Sequence, residues 1–274
     1  MSLIQVVVLA LLQGFTEFLP ISSSAHLALT PWLLGWKDQG LAFDIALHAG
    51  TLLAVLLYFF RDWVQIIAQG LGAQAGFDPE LKRNRNLLWL LAAGSIPIGV
   101  AGLLFKNFVE TTLRTPMVMG SMLIVVALVM ELADRAGRHH RGIDHISMID
   151  TIAIGFAQVL ALVPGTSRSG ITISAGLFRN LDRPTAARFS FLLSTPAVAA
   201  AAAKAFYDLS KQGGVPAEMR VPLVVGIVLS ALSGCLAINL LIRYLEKHSL
   251  RFFVYYRIIL GIIVIALAFR HPAE

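Results

Sequence analysis

The chain has 274 residues, of which 57% are hydrophobic and 14% charged, and its formal net charge is +6. Soluble domains carry about 25% charged residues, so the composition excludes an ordinary soluble protein. The basic residues lie in short segments beside apolar runs and no nucleic-acid-binding module accompanies them, which speaks against nucleic acid and predicts contact with membrane lipids.

The first predicted element covers about residues 1–30 and is an apolar helix interrupted by the sequence PISSSAH. Proline ends a helix and frees backbone polar groups. At membrane depth such groups must be satisfied inside protein or around a water-filled cavity. The sequence therefore predicts a re-entrant helical hairpin that enters the membrane and returns to the same side.

Further along the chain, six apolar runs have about the length that a helix needs to cross hydrocarbon. They are about 41–60, 87–105, 117–134, 188–206, 221–242 and 252–269. His48 lies in the first of these runs, where we interpret it as a packing or hydrogen-bonding residue. A second interrupted segment, about 149–178, contains PGTSRSG and is predicted to be another re-entrant hairpin. The predicted class is an all-α integral membrane protein with about six transmembrane helices and two hairpins.

The two halves of the chain resemble each other in the order of their elements. FLPISSSAH at 18–26 parallels LVPGTSRSG at 162–170, and each hairpin is followed by three crossings. An odd number of crossings per half predicts two inverted repeats, about 1–135 and 149–270, within one membrane domain covering 1–274. Basic residues are more numerous on the side that carries the segment after the second hairpin and the loops following the first, third and fifth crossings, which predicts that this side is cytoplasmic.

Ionisable residues lie close to both interruptions, namely Glu17 and His26 at the first and Arg168 at the second. Such groups are costly in a membrane and are functional candidates by default. Gln13 and Glu17 are four residues apart and share one helix face. Ser23 and His26 are three apart on the following helix, so we expect them to be neighbours.

The sequence PGTSRSG has the composition of an anion site. Free amides at the start of a helix attract anions, and Thr166, Ser167 and Ser169 add hydroxyl donors. Arg168 adds a planar positive charge that suits phosphate. If the two hairpins meet, these groups converge beside a serine, a histidine and a carboxylate able to hold a divalent cation. That inventory favours phosphoryl transfer.

Two motifs carry a resemblance to a known family. QGFTEFLPISSSAH contains an (E/Q)xxxE element, Gln13 to Glu17, followed by a serine run and His26, and the downstream PGTSRSGIT fits PGxSRSxxT. In this order they resemble the undecaprenyl-diphosphate phosphatase family, the bacitracin-resistance membrane enzymes of bacterial cell-wall synthesis. The resemblance covers essentially the whole chain.

The resemblance implies hydrolysis of a C55 isoprenyl diphosphate to the monophosphate and inorganic phosphate. This reaction recycles the lipid carrier for peptidoglycan synthesis and confers bacitracin resistance. It also implies a multi-pass protein of the bacterial cytoplasmic (inner) membrane, with its site open to the outer, periplasmic face. A divalent cation, Mg²⁺ or Ca²⁺, is the implied cofactor.

The resemblance also assigns residues to roles by position. The catalytic residues are Glu17, Ser23, His26 and Arg168. The substrate-binding residues are Ser22, Ser24, Gly165, Thr166, Ser167, Ser169 and Thr172. The metal ligands are Glu17 and Gln13. Many family members have glutamate where this chain has Gln13; a glutamine cannot act as a base, so Gln13 is a ligand or a positioning group.

Several alternatives stay open at the level of the sequence. Ser23 acts either as a nucleophile or as a phosphate-positioning group beside an activated water. Broken helices in inverted repeats are also typical of transporters, which leaves a lipid flippase as the alternative function. A phosphatase of the phosphatidic-acid type is disfavoured because its PSGH motif is absent. The protein is either a monomer or a homodimer.

Overall fold

A computed structural model describes residues 1–37, 39–73, 76–211 and 217–270. These residues form twelve α-helices and, apart from one isolated bridge, no β-structure. In chain order the helices are α1 (Leu3–Phe18), α2 (Ser23–Leu34), α3 (Leu41–Tyr58), α4 (Phe60–Gly70), α5 (Pro79–Arg83), α6 (Leu87–Thr112), α7 (Pro116–Ala136), α8 (Met148–Val159), α9 (Arg168–Phe178), α10 (Arg183–Lys211), α11 (Ala217–Leu245) and α12 (Arg251–Arg270).

Five helices of the described residues are long and apolar enough to cross a membrane on their own: α6, α7, α10, α11 and α12. A sixth candidate span is the pair α3 and α4, which bends by 74° at Phe59. The predicted all-α membrane class is therefore confirmed. The run predicted over 41–60 is not one straight helix, because α3 ends at Tyr58 and the chain turns there without a proline or glycine.

Both interrupted segments are helix–break–helix units. α1 ends at Phe18 and Ser22 caps α2; α8 continues into a 3₁₀ turn, Leu160–Leu162, and Ser167 caps α9. α1 has 16 residues and α8 has 12, fewer than the roughly 20 that cross hydrocarbon. The two breaks that the prolines predicted are confirmed.

The two halves of the chain pack into each other. α1 and α3 pack on α11, α7 packs on α9 and α12, and α10 packs on α3, α6 and α9. Gly14 permits the approach of α1 to α11, since a Cβ there would stand 1.9 Å from Ser233 Oγ and 2.6 Å from Ser230 O. The face of α1 that carries Gln13 and Glu17 is thus held against the rest of the bundle.

Charged side chains outside the apolar core form ion pairs between loops and helix ends. Asp150 Oδ2 lies 2.7 Å from Arg141 Nη2, and Arg188 Nη2 lies 2.6 Å from Asp62 Oδ2 and 2.8 Å from Asp78 Oδ2. Burial acts to raise the pKa of Asp78, but the hydrogen bond and charge of Arg188, together with the backbone N–H groups of Glu80 and Leu81, hold that pKa below its ordinary value. These pairs connect the loops predicted to share one membrane side.

Candidate active site

The two breaks start their second helices in the same way. Ser22 has φ 76° and its Oγ accepts a hydrogen bond from Ala25 N at 3.5 Å; Ser167 has φ 68° and its Oγ accepts from Gly170 N at 3.2 Å. Serine is a preferred cap because its hydroxyl satisfies an otherwise free amide. Each break therefore ends in a capped helix amino terminus.

The breaks are in direct contact, as expected from the sequence. Gly165 N donates to Ser24 Oγ at 3.3 Å, and Ser169 Oγ donates to Leu19 O at 3.2 Å. Each bond joins a serine of one helix start to the main chain of the other break. The positive ends of α2 and α9 consequently lie side by side.

The structural register of the two breaks differs from the sequence alignment by one residue. Four residues separate α1 from α2, whereas five separate the 3₁₀ turn from α9. Counting from the capping serines, Ser23 corresponds to Arg168, each being the first residue of its helix. The alignment through the prolines placed Ser24 opposite Arg168, and it is wrong there because the second break contains one additional residue.

Glu17 is the centre of the site. Its side chain is 6% exposed, and Arg168 Nη2 donates to its Oε1. Ser23 Oγ donates to Oε2 at 2.6 Å, and Gln13 Nε2 donates to the same oxygen at 3.1 Å. Four of the residues predicted from the sequence are thereby brought together, two from α1 and one from the start of each capped helix.

Arg168 joins the first break to α10 as well. Its Nη1 donates to Ser194 O at 3.3 Å, while Nη2 contacts Glu17. A cleft too narrow to admit a water molecule borders this guanidinium and is also lined by Thr51 and Thr195. Arg168 therefore lies between the buried carboxylate and the cleft, with 15% of its side chain exposed.

The His26 ring bonds groups other than Ser23. Its Nδ1 lies 2.7 Å from Ser22 O, its Nε2 lies 2.6 Å from Tyr256 Oη, and its ring stacks on that of Tyr256. Both ring nitrogens are thus engaged, and Ser23 bonds Glu17 instead. Ser23 and His26 lie three residues apart at the start of α2, as predicted, but within the described structure no hydrogen bond joins their side chains.

A different histidine stands beside the carboxylate. His48 Nε2 lies 3.8 Å from Glu17 Oε2, and His48 Nδ1 lies 2.8 Å from Asp44 O. The hydrogen bond expected for this residue is present, but its place at the site was missed. No local pattern identifies it, since α3 is brought to α1 by tertiary packing alone.

Arg257 was also missed by the sequence analysis. It is fully buried in α12 and bonds no carboxylate among the described residues. Its guanidinium donates at 3.0–3.2 Å to five main-chain carbonyls, those of Pro20, Leu123, Met122, Gly165 and Thr166. A basic residue in the middle of an apolar run was the signal that could have identified it.

The remaining predicted binding residues lie in or next to the second break. Thr166 is fully buried and its Oγ1 has no hydrogen-bond partner in the described part of the chain. Thr172 Oγ1 donates to Arg168 O at 2.7 Å and lies 2.6 Å from Ser190 Oγ. Thr172 therefore fastens α9 to α10, one turn away from the Arg168 side chain.

A divalent cation fits the donors on α1. Across the described residues no group of three or more His, Cys, Asp or Glu side chains could hold a metal ion. The Glu17 carboxylate nevertheless lies beside Gln13, whose Oε1 is buried without a hydrogen-bond partner. Carboxylate and amide oxygens are ligands that Mg²⁺ and Ca²⁺ accept, and Mg²⁺ commonly completes its shell with water and substrate phosphate.

Known proteins are similar to this chain over almost its full length. The family described as bacitracin resistance protein BacA matches residues 6–263. Undecaprenyl-diphosphatase of Gemmatimonas aurantiaca is 46% identical over 266 residues, which cover 97% of this chain and 98% of that protein. The proteins of the same name from Elusimicrobium minutum and Moorella thermoacetica are 45% and 44% identical, over 98% and 97% of this chain and 99% and 98% of their own lengths.

Proposed function

The chain belongs to the bacitracin resistance protein BacA family, and we propose that its paired breaks bind and hydrolyse undecaprenyl diphosphate, releasing undecaprenyl phosphate and inorganic phosphate. Relatives named undecaprenyl-diphosphatase match almost its full length. The observation that carries the proposal is the buried Glu17 carboxylate, which joins Ser23 of one helix start to Arg168 of the other. The reaction recycles a lipid carrier and counteracts bacitracin.

The diphosphate is bound by the positive ends of α2 and α9 together with Arg168. Helix amino termini bind phosphate through free amides, and arginine binds it through paired N–H donors. Arg168 is paired with Glu17 in the structure. When the guanidinium turns to phosphate, the ion pair with Glu17 breaks, and Glu17 Oε1 no longer accepts from Arg168.

Glu17 then accepts the proton of the Ser23 hydroxyl, to which it is already hydrogen-bonded at 2.6 Å. Ser23 Oγ attacks the terminal phosphorus, and the bond from that phosphorus to the bridging oxygen breaks, so undecaprenyl phosphate departs. Water then cleaves the phosphoserine and releases inorganic phosphate. His26 contributes by fixing the carbonyl of Ser22 and thereby the start of α2.

The alternative route keeps Ser23 as a phosphate-positioning group. Glu17 then removes a proton from a water molecule, and that water attacks the phosphorus directly. The two routes differ in the fate of the Ser23→Ala variant. Only the covalent route requires the hydroxyl oxygen itself.

The cofactor we propose is Mg²⁺ or Ca²⁺, with Glu17 and Gln13 as its protein ligands. When bound, the ion neutralises phosphate charge. Two protein ligands form no complete cage, so the substrate phosphate is needed to fill the shell. This is supported by the buried, unpartnered Gln13 Oε1.

We further propose two inverted repeats in the bacterial inner membrane, with the site open to the outer face. The equivalent caps of the two breaks and the interleaved packing of the halves support the repeats. The excess of basic residues on one side supports the orientation. A carboxy-terminal reporter that is active only in the cytoplasm would contradict it. Membrane lipids surround the protein, which acts as a monomer or a homodimer.

The test is phosphate release from undecaprenyl diphosphate by the purified protein in detergent, with and without a chelator. We expect activity in the wild type, loss on chelation with recovery on adding Mg²⁺ or Ca²⁺, and loss in Glu17→Ala. Near-wild-type turnover of Ser23→Ala would rule out the covalent route. The matched serine control is Ser210→Ala, on the exposed end of α10, which should keep full activity. Absence of phosphate release from the wild type would favour the flippase. A flippase shows no activity in detergent, because transport needs a membrane between two compartments.

A further inference from the structure

We propose that His48 is a third protein ligand of the divalent cation at Glu17, so that this site takes Mn²⁺ more tightly than Ca²⁺. The inference rests on the proposed metal dependence and adds a nitrogen donor to the two oxygen donors on α1. It assigns a binding role to a residue that lies on α3, outside both sequence motifs.

The ring of His48 is oriented as in metal-binding histidines. Its Nδ1 lies 2.8 Å from the carbonyl oxygen of Asp44, one turn earlier on α3. Donation to this carbonyl places the ring hydrogen on Nδ1 and leaves the lone pair on Nε2. Metal-ligating histidines use the same arrangement, because the second hydrogen bond fixes both tautomer and ring orientation.

The separation between His48 and Glu17 suits a shared ion. Nε2 and Oε2 are 3.8 Å apart, beyond the range of a hydrogen bond. Two ligands of one ion at about 2.1 Å stand roughly 3.0 Å apart when adjacent and roughly 4.2 Å apart when opposite. The observed separation falls between these limits, so the pair can bind one ion with small side-chain movements.

Gln13 supplies an independent sign of a ligand. Its side chain is fully buried and bonds Glu17 through Nε2, while Oε1 has no hydrogen-bond partner in the described part of the chain. A buried acceptor without a donor is rare in proteins. If the amide turned so that Oε1 instead of Nε2 faced Glu17, a cation bound between the two side chains would satisfy this oxygen.

Charge permits a cation on this side of the carboxylate. Arg168 contacts Oε1, whereas His48 faces Oε2. The His48 side chain is 38% exposed, so an ion can arrive without unfolding the helix pair. Imidazole favours transition metals over Ca²⁺, which prefers oxygen ligands. We therefore expect the site to bind Mn²⁺ more tightly than Ca²⁺.

The experiment uses the full chain in detergent with Mn²⁺ as the probe, with inorganic pyrophosphate present and absent. Pulsed electron paramagnetic resonance detects coupling between Mn²⁺ and a directly bound ¹⁴N nucleus. We expect nitrogen coupling in the wild type and at least tenfold weaker Mn²⁺ binding in His48→Gln, with the coupling lost. His140→Gln, in an exposed loop, is the control and should keep both.

His48→Asn is a second variant that retains a donor near the Asp44 carbonyl, and thermal unfolding of each variant shows that it is folded. Nitrogen coupling that survives in both His48 variants, or its absence in the wild type with and without pyrophosphate, overturns the proposal. Phosphate release is measured separately with Mg²⁺. A wild type that is active but lacks nitrogen coupling disproves the role of His48 alone, whereas a wild type without activity disproves the proposed function.

Discussion

The two breaks share one backbone device and differ in the chemistry they present. Each turns at a serine with positive φ, and that serine caps the next helix. The first residue after the cap is Ser23 in one break and Arg168 in the other. In the proposed mechanism, one half of the chain thus supplies the nucleophile and the other supplies the phosphate-binding charge, although both second helices start at a serine with positive φ.

The segments that precede the two breaks also differ in the polar side chains they carry. Glu17 lies four residues after Gln13, whereas Leu162 lies four residues after Gln158. The Gln13 amide bonds the carboxylate, while both amide atoms of the buried Gln158 have no hydrogen-bond partner in the described ranges. Both halves therefore have a glutamine before the break, whereas a carboxylate four residues after it occurs only before the first break.

The sharpest test of this division is Arg168→Ala. It removes the charge that only the second break provides and leaves Glu17 buried without its partner. We expect kcat/KM for phosphate release to fall by about 10³-fold, the size typical for a lost transition-state donor. Arg135→Ala, at an exposed ion pair on α7, should have no such effect. Wild-type kinetics in Arg168→Ala would disprove the division of roles.

Arg257 donates hydrogen bonds to main-chain carbonyls of both breaks. Its substitution therefore tests whether this shared donor holds the two breaks in place. Arg257→Met leaves five carbonyls without this donor, and we expect it to destabilise the protein by on the order of 3 kcal/mol. Thermal unfolding in detergent measures this, and KM for the lipid diphosphate should rise as well. Arg257→Lys should recover part of the stability. An unchanged unfolding temperature in Arg257→Met would show that the breaks hold without it.

Gly165 lies in the longer second break. Comparing its substitution with that of Gly72 separates the cost of a positive φ from the cost of a steric clash. It has φ +92°, and a Cβ there would stand 2.5 Å from Met119 O. Gly72 has the same φ, but a Cβ at that position would meet no heavy atom within 4 Å. We expect Gly165→Ala to cost about 2–4 kcal/mol and Gly72→Ala about 1–2 kcal/mol, as read from unfolding temperatures. Equal shifts would mean that contact with Met119 is unimportant.

The smallest effect is expected at the caps, where the two breaks should behave alike. Ser22→Ala and Ser167→Ala each remove a hydroxyl acceptor and should each cost about 1 kcal/mol. Glycine at either position should cost less, because it tolerates positive φ. A clear difference between the two alanine variants in thermal unfolding would contradict the structural equivalence of the caps.

Much of the fold could be predicted from local sequence. The length of the apolar runs identified the spans, and Pro20 and Pro164 identified the breaks. Both signals are contained within one continuous stretch of sequence and need no knowledge of tertiary contacts. The bend at Phe59 could not be predicted, since the sequence there contains no proline or glycine. The register of the breaks was wrong by one residue because aligned prolines concealed the extra residue before Ser167.

The site was predictable where its residues lie in motifs. Gln13, Glu17, Ser23 and Arg168 come together as expected. The bond from His26 to Tyr256 and the approach of His48 to Glu17 could not be predicted, because they depend on how a ring turns and on how α3 packs against α1. Arg257 carried a visible signal, an arginine within an apolar helix, and the sequence analysis did not use it.

The position of Arg257 in the chain has a consequence for biosynthesis. It lies on α12, the last described helix, whereas the carbonyls it binds belong to segments around residues 20, 122 and 165. During translation those carbonyls are made long before their donor. The hydrogen bonds that join Arg257 to both breaks therefore form only after α12 has been synthesised, so a nascent chain lacking α12 should be inserted but inactive.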